Sequence, residues 1–161
     1  MPTVKSDALR HPSDQPKVKC FGKSAALTVE ATVIQKAGNP PLPTINLEVA
    51  PRLAERVEWD RKIVIQLSDS ELPVLCAVLM GYLPELHIKR PGKGIEVARQ
   101  PDRLFIRATA GTGNLFMLPV TIGDTFRVSA LLLSQLKKQS GLEDETLLLA
   151  ALRGAASLAH A

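Results

Sequence analysis

The order of segments along this 161-residue chain predicts an α+β fold built on two antiparallel sheets. Three observations carry that expectation. Alternating apolar and polar residues mark strands before residue 68, a capped helix start follows at Ser68, and four short alternating segments separated by turn signals occupy residues 85–120. Apolar residues at helical spacing then fill the C-terminal end.

Composition bounds the possibilities. Hydrophobic residues make up 45 % and charged residues 22 %, as in a globular domain, and the formal net charge is +4. A moderate positive charge suits a polyanionic partner without demanding one. Cys20 and Cys76 form neither a metal-binding spacing nor a disulfide framework, which fits a reducing compartment. No apolar run approaches the ~20 residues of a membrane span. Residues 1–22, punctuated by Pro2, Pro12 and Pro16 and rich in Lys and Arg, read as a flexible basic arm, with residues 23–161 as the domain.

The first strand runs through Ala25–Ile34, with Leu27, Val29, Ala31 and Val33 on one face and Thr28, Glu30 and Thr32 on the other. Gly38, Pro40, Pro41 and Pro43 mark a loop. Thr44–Ala50 alternates again, and Pro51 is expected to end it. Lys62–Leu67 forms a third strand with Ile63, Ile65 and Leu67 together. Ser68 and Glu71 then make a capping box, Ser-x-x-Glu, opening a helix through Leu72, Leu75, Cys76 and Leu79 that stops near Gly81. Strands at 85–90, 94–100, 103–108 and 114–120 are divided by Pro91-Gly92, Pro101-Asp102 and Gly111-Thr112-Gly113, the spacing of a meander. Helices are expected over 124–139 and 143–159. The second carries Leu147-Leu148-Leu149-Ala150-Ala151-Leu152, apolar on nearly every side, and self-association is the simplest way to bury it in so short a chain.

Catalytic chemistry finds no foothold. His11, His87 and His160 sit in no metal or triad motif, and Cys76 lies on an apolar helical face where a structural thiol belongs. Gly111-Thr112-Gly113 joins strand to strand and is too short for a nucleotide loop. Neither a catalytic residue nor a metal or other cofactor is expected.

A binding surface is better supported. Segment 85–107 holds Lys89, Arg90, Lys93, Arg99, Arg103 and Arg107 against Glu85, Glu96 and Asp102. Alternation places Arg103, Phe105 and Arg107 on one strand face, opposite Leu104 and Ile106. An aromatic ring between two guanidiniums can stack a base while its neighbours hold phosphates. His87 and Lys89 share a face, as do Lys62 and Gln66, and Asn114 and Phe116 are expected together opposite Leu115 and Met117. A solvated sheet face with Phe105 and Phe116 in a second core layer is the competing reading.

Three motifs in order resemble the Whirly family of single-stranded DNA-binding proteins. Val57-Glu-Trp-Asp-Arg-Lys-Ile-Val-Ile-Gln-Leu-Ser-Asp-Ser-Glu-Leu72 is similar to that family's Tyr-Asp-Trp-x-Lys-Lys-…-Leu-Ser-x-x-Glu signature. Lys23-Ser-Ala-Ala-Leu-Thr-Val-Glu30 resembles its Lys-Gly-Lys-Ala-Ala-Leu-Ser-Val-Glu segment, and Ile45-Asn-Leu-Glu-Val-Ala-Pro51 its strand ending in Ala-Pro. The likeness covers about residues 22–139. It implies two sheets packed roughly at right angles, C-terminal helices that gather a homotetramer, and single-stranded DNA bound with little sequence preference. The related kinetoplastid RNA-binding proteins share the fold, which keeps RNA as an alternative, beside a protein-assembly module. Val57 stands where the family has Tyr, Trp59-Asp60 reverses its Asp-Trp, and one lysine, Lys23, remains of its pair. These departures point to a bacterial or mobile-element relative, cytoplasmic and nucleoid-associated, with neither a membrane nor a small-molecule substrate as partner. The residues expected to meet nucleic acid are Lys23, Lys62, His87, Lys89, Arg90, Lys93, Arg103, Phe105, Arg107 and Phe116, with Phe105 and Phe116 stacking bases. Trp59 is as well suited to burial at a sheet corner as to stacking.

Overall fold

A computed structural model describes residues 15–160. Among these residues, two antiparallel sheets and three α-helices make an α+β fold. The first sheet holds β1 (Lys17–Phe21), β2 (Ala25–Ile34), β3 (Leu42–Leu53), β4 (Arg56–Val57) and β5 (Ile63–Gln66). β2 lies between β1 and β3, and β4 and β5 share the far edge of β3. Helix α1 (Glu71–Leu79) leads to the second sheet, the meander β6 (Glu85–Arg90), β7 (Lys93–Gln100), β8 (Arg103–Thr109) and β9 (Leu115–Val120). Helices α2 (Ile122–Ser140) and α3 (Glu145–Ala156) follow.

Period-two alternation turns one face of each sheet inward. Leu27, Val29, Ile45, Leu47, Val49, Ile63 and Ile65 of the first sheet meet Ile95, Val97, Leu104, Ile106, Leu118 and Val120 of the second. α1 adds Leu72, Leu75 and Leu79 to the same cluster, and α2 adds Val128, Leu132 and Leu136. Where the sheets and these helices meet lies a void of about 20 Å³, small enough for native packing. No helix among the described residues is long and apolar enough to cross a membrane.

The capping box forms. The Ser68 N–H donates to the Glu71 carboxylate at 2.9 Å and the Glu71 N–H to the Ser68 hydroxyl at 3.2 Å. Thr121 caps α2 and Asp144 caps α3, each accepting from backbone N–H groups of the first turn. The buried Gln135 of α2 donates to the Thr44 carbonyl at 2.8 Å, tying the helix to β3.

Two expectations need correcting. Residues 17–21 are not part of an arm: they form β1, paired with β2 from Lys17↔Glu30 to Phe21↔Ala26, because Val18 and Cys20 alternate inward beneath a basic sequence. The remainder of that expected arm, residues 1–14, lies outside the described residues. Pro51 does not end β3, which runs on to Leu53. The Arg52 N–H bonds the Ser24 carbonyl on the β2 side, so the nitrogen of Pro51 faces the gap between β5 and β4, where no strand asks for a donor.

Gly22, in the β1–β2 turn, has its own steric reason. A Cβ there would stand 2.7 Å from the Leu118 Cβ, so only glycine lets this turn close onto β9.

Candidate nucleic-acid interface

The meander's outer face is set by its register. Cross-strand rows run Lys89–Gly94–Thr109–Leu115, then His87–Glu96–Arg107–Met117, then Glu85–Ala98–Phe105–Pro119, with Gln100 beside Arg103 at the end. On β7, Gly94 lacks a side chain, so a trough lies between β6 and β8 at that end of the sheet. Its open volume is about 470 Å³, lined by His87, Lys89, Gly94, Glu96, Arg107 and Thr109 among others.

Phe105 stands half-buried in this face between small or flat neighbours, Ala98 and Pro119, with Arg103 and Arg107 two residues away on either side. The arrangement expected from β8 alone therefore exists. Lys89 is exposed and forms no ion pair among the described residues. Arg107 lies 3.8 Å from Glu96, and Arg103 lies 3.0 Å from its neighbour Asp102. The Arg103 guanidinium holds the Asp102 carboxyl below the usual carboxylate range, chiefly through its hydrogen bond. Both groups are exposed, so that pairing is weak enough to exchange for a phosphate.

Other expected contacts sit elsewhere. Phe116 faces the core and is 7 % exposed. Its register partner is Ala108, which shares the inner side of β8 with Leu104 and Ile106, so Phe116, Leu118 and Val120 point in while Leu115, Met117 and Pro119 point out. It is not a stacking platform in this chain. Arg90 is held by Glu71 at 2.6 and 3.0 Å and donates to the Gln66 carbonyl at 2.9 Å, clasping the meander to α1 and β5. Arg90 lowers the Glu71 carboxyl from its usual value, against a smaller opposing effect of burial. Lys93 reaches the Val64 carbonyl at 2.6 Å, a second tie between the sheets. Lys23 and Lys62 belong to the first sheet's side: Lys23 is exposed in the β1–β2 turn, and Lys62 pairs with Glu48 at 3.1 Å.

The first sheet carries cation–aromatic pairs that the sequence pattern did not reveal. The Lys19 ammonium stands 4.4 Å over the Trp59 ring, and the Arg52 guanidinium lies 5.8 Å from Phe21, itself 56 % exposed. Trp59 is half-buried in a single 3-10 turn, Trp59–Arg61. Lys19 was hidden by its place in an apparent tail.

Both thiols are buried, and burial pushes Cys76 up to about 12 and raises Cys20 as well, so neither is a ready nucleophile. Among the described residues, one group brings metal-ligating side chains together: Glu85, His87 and Glu96. Strand spacing i, i+2 with a cross-strand partner is the signal that could have found it.

No protein-family model matches the chain, and none of the curated proteins matches it. Solved structures do. The structure of the plant transcriptional regulator PBF-2 superposes with a TM-score of 0.58 at 18 % identity, over 81 % of this chain and 85 % of that one. The Trypanosoma brucei MRP1/MRP2 structure also gives a TM-score of 0.58, at 12 % identity over 89 % of this chain and 98 % of that one. The chain thus shares its fold with a plant transcriptional regulator and with MRP1/MRP2.

Proposed function

We propose that this chain is a non-catalytic protein that binds single-stranded DNA along the outer face of its second sheet, with little preference for sequence. The observation that carries this reading is Phe105, half-buried on the outer face between Arg103 and Arg107, on the sheet whose trough bears Lys89 and Arg107. A base has a π-face whatever its identity, so a ring flanked by cations favours unpaired strands over duplex and one sequence little over another. The fold shared with the plant transcriptional regulator PBF-2 and the sequence resemblance to the Whirly family lend support. Protection, replication, recombination or transcription of DNA are the processes such a protein serves, in the cytoplasm of a bacterium and close to its nucleoid. RNA in place of DNA is a variant of the same reading.

The protein works as a homotetramer in this account. Ile122 and Phe126 at the start of α2 are each 73 % exposed, and Leu147 and Leu158 are 58 % and 76 % exposed in the single chain. Apolar side chains so open at the C-terminal end favour burial against further copies.

The test is a gel shift at low and at physiological salt, using one oligonucleotide sequence in single-stranded and in duplex form. A salt-sensitive shift confined to the single strand is expected. Absence of any shift at low salt would remove nucleic acid as the ligand and leave the protein-assembly reading.

A further inference from the structure

We propose that Glu85, His87 and Glu96 form a divalent-cation site of zinc type on the outer face of the second sheet, with a coordination position left for water or a phosphate oxygen.

The geometry comes from the sheet. Glu85 and His87 are two apart on β6 and so share a face, and Glu96 is the direct cross-strand partner of His87 on β7. His87 Nε2 contacts the Glu85 carboxylate and lies 3.0 Å from a carboxylate oxygen of Glu96. One ligand atom from each residue falls within 4.8 Å of the others. Zinc bonds of ~2.0–2.1 Å in a tetrahedron place ligands roughly 3.3 Å apart. Side-chain rotation alone closes the remaining difference, since all three are surface groups, 48 %, 51 % and 30 % exposed for Glu85, His87 and Glu96.

The donor set selects the ion. One imidazole with two carboxylates suits zinc or manganese, whereas magnesium and calcium prefer oxygen alone. Arg107, 3.8 Å from the other oxygen of Glu96, is placed to orient that carboxylate from outside the site.

Charge gives the site a purpose. Glu96 lines the same trough as Lys89 and Arg107, and Glu85, two residues from His87 on β6, adds a second carboxylate beside it. A bound divalent ion would cancel the charge of these two carboxylates at the edge of the trough. That consequence rests on the nucleic-acid reading above; the metal site itself does not.

The test uses the full chain after chelator treatment. Zinc is titrated calorimetrically at neutral pH, and cobalt is followed by its visible absorption. One site per chain is expected. His87→Gln and Glu96→Gln should each weaken zinc by at least about 10-fold, the lower end of what even an outer-shell partner contributes. His11→Gln and His160→Gln should not. No cobalt spectrum and no zinc binding would overturn the site, as would unchanged binding in His87→Gln. Oligonucleotide affinity with and without zinc forms a separate arm. Zinc uptake without oligonucleotide binding would keep the site and defeat the nucleic-acid reading. Oligonucleotide binding by a protein that takes no zinc would do the reverse.

Discussion

Replacing Phe105 by Ala removes the aromatic face that the proposed interface is built on. The ring is half-buried against Ala98 and Pro119, so truncation should cost less than the ~3–5 kcal/mol of a fully buried Phe→Ala change. The chain should still fold, because the inner side of β8 keeps Leu104, Ile106 and Ala108. Loss of one stacked base weakens binding by about 1–3 kcal/mol, roughly 5- to 150-fold. Fluorescence anisotropy with a labelled single strand measures the change, and a thermal melt checks the fold. Phe105→Leu separates the causes: it retains apolar bulk without a π-face and should behave nearly as Ala. Phe105→Tyr should hold most of the affinity. Equal loss across mixed and homopolymeric sequences is expected. Wild-type affinity in both the Ala and Leu variants would refute the stacking role.

Lys89→Gln should flatten the dependence of binding on salt, lowering the log–log slope by about 0.7 for each phosphate contact removed from a single strand. An unaltered slope would take Lys89 out of the interface. Glu71→Gln should destabilise the chain at neutral pH by about 1–3 kcal/mol, since the Arg90 clasp loses its charged acceptor. Because Arg90 depresses the Glu71 carboxyl in the folded state, that stabilisation is present above the ordinary value of ~4.3 and disappears as pH falls through the lower folded value; denaturant melts should show wild type and variant converging as pH falls through that lower value. Gly22→Ala should cost about 1–3 kcal/mol through its clash with Leu118, and an unshifted melt would mean that the turn moves freely off β9. Phe126→Glu should reduce the molar mass seen by light scattering, whereas a wild-type monomer would contradict self-association outright.

Much of the fold was legible because it rests on short-range pattern. Alternation in Ala25–Ile34 and in the meander, the Ser68–Glu71 box and the apolar spacing of α2 each decide their own element without help from distant residues. β1 was not legible, since Lys17–Phe21 offers two inward side chains and owes its strand to pairing with β2. Pro51 misled for a similar reason: whether a missing donor matters depends on what lies beside the strand, and that is decided by where β4 and β5 end. In the site, β8 was readable because Arg, Phe and Arg alternate against Leu and Ile. β9 was not readable from residues 114–117, where both faces are apolar at Leu115, Phe116 and Met117. Carrying the alternation on to Leu118 and Val120 would have turned Phe116 inward. Arg90 and Lys93 looked like surface cations, yet their partners Glu71, Gln66 and Val64 lie on other elements, and only the tertiary arrangement joins them.

The most direct measurement is ultraviolet crosslinking of the full chain to a thymine-rich single strand, with the attached peptides mapped by mass spectrometry. The account predicts a crosslink at Phe105, in the segment Arg103–Arg107, lost when a competing single strand is added and retained when duplex of the same sequence is added. Crosslinks confined to the first sheet around Phe21 and Trp59, with Phe105 untouched, would contradict it.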